Sequence, residues 1–157
     1  MRMARLHLLF AVRNKSIRFR AWALDSYKQT LLQLKNEGST EFQLDVSKSG
    51  LTAKTGKSQT IGLSHPVESG PGDHILVLKP GEEREIVFNS RCLNRSEKPP
   101  ENGTEYDLIP TLLADDVAEL LRKGVDQYEV WDAMENPKSN IKVNSAIPAM
   151  VDKFEPH

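Results

Sequence analysis

The chain has 157 residues, of which 38% are apolar and 27% charged, and its formal net charge is −1. That length suits a single domain, 1–157, able to bury roughly 70% of the unfolded chain's surface, and the composition excludes wholesale disorder. A charge near zero excludes a global pull toward nucleic acid or an acidic membrane, and the lone cysteine, Cys92, excludes an internal disulfide.

In chain order, Leu6, Leu8, Phe10 and Val12 alternate, so they share one face of an extended segment. Arg2 and Arg5 before this run imitate a signal peptide. The run is short, however, His7 interrupts it, and it ends in Arg13-Asn14-Lys15 with no small-residue cleavage site, so no exported leader is expected. Ile17, Phe19, Ala21 and Ala23 alternate in their turn with Arg18 and Arg20 opposite, which predicts a hairpin across Asn14-Lys15-Ser16. A helix over 17–36 competes, because Leu24, Tyr27, Leu31 and Leu34 also follow three-and-four spacing and Gly38 could close it. Strands are preferred, since Leu32 and Leu34 lead through Asn36-Glu37-Gly38-Ser39 into Phe42-Gln43-Leu44-Asp45-Val46, the pattern of another hairpin.

Residues 50–58 are small and polar, a loop or weak edge, and 64–74 carries two prolines and two glycines, as a surface loop does. Between Ile75-Leu76-Val77-Leu78 and Glu85-Ile86-Val87-Phe88 sits Pro80-Gly81. Proline pre-sets φ at the second position of a β-turn and glycine accepts the positive φ of the third, so a type II turn joining antiparallel strands is expected. The stretch 89–105, with Lys98-Pro99-Pro100 and Asn102-Gly103, reads as irregular and exposed. One short helix is expected over 111–123, where Leu112, Leu113, Val117, Leu120 and Leu121 recur on one side and Arg122-Lys123 precede Gly124. Tyr128-Glu129-Val130-Trp131 and 141–147 read as the last strands. No stretch approaches the roughly 20 apolar residues of a membrane span, so no membrane insertion is expected.

Several motifs imitate chemical sites. Gly56-Lys57-Ser58 ends like a phosphate-binding loop, but five residues separate Gly50 from Gly56 where four are required, and Gln59-Thr60-Ile61-Gly62 beyond it is a poor helix start. His65, Asp73, His74 and Cys92 lack zinc-ligand spacing, and Cys92 with His74 or His65 has no recognisable nucleophile context. Asp115, Asp116 and Glu119 suit a helix start and its dipole. Trp22, Trp131 and Tyr128 suit core or interface packing. Three sequons begin at Asn14, Asn94 and Asn102 and would matter only in a glycosylating compartment. No catalytic, cofactor-binding or metal-ligating residue is therefore expected.

Charge is nonetheless uneven. Residues 1–35 hold eight basic groups against Asp25, a balance of +7, and 101–135 hold ten acids against Arg122 and Lys123, a balance of −8. Mutual neutralisation within the molecule is the preferred reading, with a basic face for an anionic partner as the alternative. Aromatics do not interleave the arginines as a single-stranded nucleic-acid platform requires, so no nucleic-acid partner is expected.

The run 6–12, Asn14-Lys15-Ser16, the run 17–24 and Leu76-Val77-Leu78-Lys79-Pro80-Gly81-Glu82 together resemble bacterial immunoglobulin-like sandwich domains, over residues 5–90. The resemblance implies an accessory, adhesion or partner-binding module of an extracytoplasmic or membrane-anchored protein, with a protein or cell-surface partner. The fold expected is all-β, an immunoglobulin-like antiparallel β-sandwich of seven to nine strands with one short helix. The function expected is a non-enzymatic binding or interaction module. The alternative is a small hydrolase or inhibitor-like protein using loops 64–74 and 89–105.

Overall fold

A computed structural model describes residues 3–135, which are mostly β. Their elements run β1 (Ala4–His7), α1 (Leu8–Arg13), β2 (Ile17–Leu24), β3 (Gln29–Asn36), β4 (Phe42–Asp45), β5 (Gly50–Ala53), β6 (Ile61–Pro66), β7 (Ile75–Leu78), β8 (Glu83–Cys92), β9 (Glu105–Leu108), α2 (Asp115–Lys123) and α3 (Gln127–Glu135).

The strand reading of 17–36 holds. β2 and β3 pair antiparallel from Ile17↔Asn36 to Leu24↔Gln29, and β3 buries Thr30, Leu32, Leu34 and Asn36 at a period of two. The first apolar run does not pair with them. His7 ends β1 because its ring Nδ1 accepts from Leu9 N at 3.1 Å, a side-chain cap that turns the backbone into the short helix α1. β1 instead lies parallel to β4, which pairs antiparallel with β7 on its other side.

The larger sheet closes on itself in the order β2-β3-β8-β6-β5-β9, with every pairing antiparallel. The closing strand is β9, whose Tyr106 pairs with Ala21 of β2 and with Ala53 of β5. An immunoglobulin-like sandwich would leave two sheets with free edges; here a six-stranded barrel and a small flanking sheet replace it, and the resemblance is overturned. The resemblance therefore no longer supports the compartment it implied. Residues 50–53, expected as a loop or weak edge, are an inner member of the barrel, and Ser64, His65 and Pro66 belong to β6 rather than to a loop. The stretch 89–105 is irregular only in part, because Asn89–Cys92 complete β8, and Ser90, Cys92, Leu93 and Pro100 are buried.

The turn at Pro80-Gly81 forms as expected: Glu82 N donates to Lys79 O at 3.0 Å and Gly81 has φ +75°. It does not join paired strands. β7 goes to the small sheet and β8 to the barrel, so the turn carries the chain from one to the other.

One core serves both sheets, joining Leu32, Leu34, Phe88 and Tyr106 of the barrel with Leu6, Phe42, Leu44 and Leu78 of the small sheet. A second cluster seats α2 and α3 through Val117, Leu121 and Val130 on Leu93 and Ile109. The expected helix forms as α2, ended by Gly124. It lies over β6, where a Cβ on Gly62 would stand 2.7 Å from Leu121 Cδ1, and all six residues of β6 are buried. Tyr128 to Trp131, expected as a strand, lie in α3, because Gln127 bridges the end of β8: its side chain accepts from Cys92 N at 2.6 Å and donates to Cys92 O at 2.7 Å. The expected strand 141–147 lies outside the described residues.

Asn36 knots the two sheets. It is fully buried; its Nδ2 donates to Thr40 O at 2.9 Å and Leu78 O at 3.1 Å, and its Oδ1 accepts from Gly38 N at 2.9 Å. Its backbone exchanges two further bonds with the turn, Asn36 N to Glu82 O and Gly81 N to Asn36 O, each 3.0 Å. Asn36→Ala removes three side-chain bonds and strands buried carbonyls, so it is expected to lower stability by about 2–4 kcal/mol in urea unfolding.

His7 gives the fold a pH dependence. The ring is buried, with Nε2 on Ser47 O at 2.5 Å, and since Nδ1 accepts from Leu9 N the proton sits on Nε2. Burial pushes its pKa below the ordinary value, with Lys48 acting the same way and the Ser47 carbonyl and Asp45 opposing. A lowered folded pKa means that the unfolded chain takes the proton first. His7 therefore stabilises fully above about pH 6.5, the unfolded value, and this contribution is lost as pH falls through the folded pKa. Urea midpoints between pH 7.5 and 5 are expected to drop, with His7→Gln showing a shallower slope.

Candidate functional site

The sequence-derived candidates do not come together. His65 has its Nδ1 2.9 Å from Pro66 O and its Nε2 3.5 Å from Asn89 Nδ2, and Ser64 Oγ donates to Leu121 O. His74 Nδ1 lies 3.0 Å from Gly72 O. Cys92 is buried inside the barrel, where desolvation pushes its thiol up to about 12. Among the described residues no group of three or more His, Cys, Asp and Glu is placed to hold a metal ion. Gly56 sits in a turn with φ +77°, and the chain after Lys57-Ser58 runs into β6 rather than into a helix.

The remaining candidates have local structural partners. Asp115 pairs with Lys48 at 2.5 Å, Asp116 Oδ1 accepts from Val117 N, and Glu119 faces Lys123 one turn on. Trp22 lies under the Arg20 guanidinium at 4.6 Å, Trp131 under that of Arg95 at 5.0 Å, and Tyr128 meets Trp131 edge to face. The sequon asparagines do turn chemistry: Asn14 and Asn94 accept from the N and Oγ of Ser16 and Ser96, and Asn102 accepts from Ser26 N.

The basic and acidic segments meet in part. Arg20 pairs with Glu105 at 3.0 Å, holding that carboxyl below its usual range, and Lys54 joins the pair at 3.2 Å. Arg18 instead pairs with Glu37, which lies outside the acidic segment.

The feature with the shape of a site is a groove of about 590 Å³ between the two sheets. Its walls are Ile75, Leu76 and Val77 on one side and residues 84–87 on the other, roofed by Pro66, Val67, Glu68 and Ser69. It exists because β6 has six residues and β8 ten. β6 stops pairing at Pro66↔Phe88, Val67 N adds one bond to Val87 O at 2.9 Å, and Gly70 N then turns back to Pro66 O. The N-terminal half of β8 is left with β3 on one side and, among the described residues, no strand on the other. β7 likewise has β4 as its sole partner among the described residues. Two strand edges thus face one groove. Val67 and Val77 stand 44% and 41% exposed beside it, beyond what core packing requires of valine. A second, more open recess of about 410 Å³ is lined by Asp25, Lys28, Asn89, Arg91 and Asp126 among others. Neither cavity combines the loops 64–74 and 89–105: no residue of 89–105 lines the groove, and none of 64–74 lines the recess.

The groove was not legible from sequence, apart from the apolar run 75–78 and the turn chemistry of 64–74. Comparison with protein-family models, curated proteins and solved structures returns no match. No helix among the described residues is long and apolar enough to cross a membrane.

The thiol placement has a direct readout. With a pKa near 12 and burial inside the barrel, Cys92 is expected to react with an aromatic disulfide reagent at pH 8 at least about 100-fold more slowly in the folded chain than in urea. Equal rates would mean that the barrel opens at Cys92.

Proposed function

We propose that this chain is a non-enzymatic binding module that takes a polypeptide partner in the groove between β7 and β8. The observation carrying the reading is the pair of strand edges that face each other across an exposed, partly apolar channel. Such edges template the pairing of another chain, and an extended segment laid along them would gain main-chain hydrogen bonds. The hydrolase alternative has less support. Ser64 and His65 are bonded to backbone carbonyls and Cys92 is buried, so none of the three is set against a base as a nucleophile must be.

The test is selection of displayed random heptapeptides on the whole protein, followed by comparison with the double variant Val67→Arg/Val77→Arg. Both valines are exposed, so their replacement fills the groove without touching the core. Selected peptides are expected to lose at least about tenfold in affinity for the variant, or roughly 1.4 kcal/mol. Peptides that bind both proteins equally, or a selection that enriches nothing, would sink the reading.

A further inference from the structure

We infer that the occupant of this groove is an extended segment alternating apolar with basic side chains, added as a strand to the open edge of β8. The inference rests on the groove being a polypeptide site, and it names that site's partner by charge and by backbone geometry.

The geometry comes from the ladder. Val87 turns its carbonyl to the groove, where Val67 N takes it, and in an antiparallel strand every second residue faces the same way. Glu85 and Glu83 therefore also turn their N–H and C=O groups toward the side that β6 does not reach. Across the channel Val77 O faces inward too, accepting from Arg84 Nη1 at 2.9 Å. A strand entering along β8 would continue the line that β6 abandons at Pro66. Its alternate side chains would lie against Val67, Ile75 and Val77.

The charge comes from the lining. Glu68, Asp73 and Glu85 contribute three carboxylates, and the one guanidinium, Arg84, is already engaged by Val77 O and stands 3.8 Å from Glu82. Several acids elsewhere on the described surface do find a base: Glu37 with Arg18, Glu105 with Arg20 and Lys54, Asp132 and Glu135 with Arg95. No ion pair forms at Glu68, Asp73 or Glu85 among the described residues; Glu85 accepts only the amide of Gln33, at 3.2 Å. With three carboxylates against one guanidinium, the groove lining carries a net negative charge beside a strand edge that no described strand covers. Lysine or arginine in the incoming segment complements that charge. A second copy of this chain fits poorly, because edge-to-edge pairing would set Glu83 and Glu85 against their own counterparts.

The experiment titrates the full chain with three capped heptapeptides. One alternates lysine and valine, one alternates glutamate and valine, and one is the lysine peptide N-methylated at every second amide. The lysine peptide is expected to bind at least about tenfold more tightly than the glutamate peptide at 50 mM salt and to weaken several-fold at 300 mM. N-methylation is expected to cost at least about another tenfold by removing main-chain donors. Glu68→Lys/Glu85→Lys, both surface changes, should reverse the order of the first two peptides. Equal binding of the lysine and glutamate peptides, or indifference to the charge reversals, would overturn the basic partner while leaving intact a groove that passes the display test. Indifference to N-methylation would overturn strand addition, and so would sedimentation showing that the free protein dimerises through this edge. Loss of every peptide from the Val67→Arg/Val77→Arg protein assigns the binding to the groove; its retention would overturn groove and partner together.

Discussion

One buried amide decides how the two sheets are joined. Asn36 ends β3 inside the barrel, yet its side chain holds Leu78 of the small sheet and Thr40 on the way to β4. Both of its N–H donors meet carbonyls and its oxygen meets an N–H, so the group leaves no unpaired hydrogen-bonding capacity on its amide hydrogens. An isolated amide in that position would be costly, and the satisfied network instead fixes one arrangement of the turn at Pro80-Gly81 relative to both sheets. The turn can then send β7 and β8 apart.

That divergence produces the groove. In an ordinary hairpin β7 and β8 would cover each other's edges and nothing would remain to bind. Here β7 is drawn to β4 by Leu76 and Leu78 packing with Leu44 and Phe42, while β8 is held by β3 through seven register pairs. β6 covers the distal half of β8, and α2 in turn covers β6 through the space left by Gly62. Among the described residues the proximal half stays open, because the chain turns away after Val67. The open edge is therefore a consequence of strand lengths and of one turn, with no dedicated catalytic residue required.

Local signals were legible in the sequence and pairing choices were not. Period-two burial identified β2 and β3 against a competing helix, and early acids with a terminal glycine identified α2. Proline and glycine gave away the turn at residues 79–82. What failed was which strand meets which, because β1 with β4 and β9 with both β2 and β5 are contacts between distant residues that periodicity does not encode. Two polar side chains account for other misses. The ring of His7 ends a run whose alternation predicts a longer strand, and the amide of Gln127 takes the hydrogen bonds at the end of β8, so that Tyr128 to Trp131 become helical. The candidate groove was hidden for the same reason as the topology, since its walls come from segments that meet only in the fold.

The charge asymmetry of the chain takes on a different meaning in three dimensions. Along the sequence the extremes are the basic first 35 residues and the acidic stretch 101–135. In space they meet at one point, Arg20 with Glu105, where Lys54 joins the pair. Such exposed pairs add little stability, but they cancel the field that would otherwise attract a partner. The acids beside the groove, Glu68, Asp73 and Glu85, come from neither of those two segments. They matter because β7 and β8 bring them together around an edge with spare hydrogen-bonding groups, where a charge on the incoming chain and its backbone can be recognised at the same time.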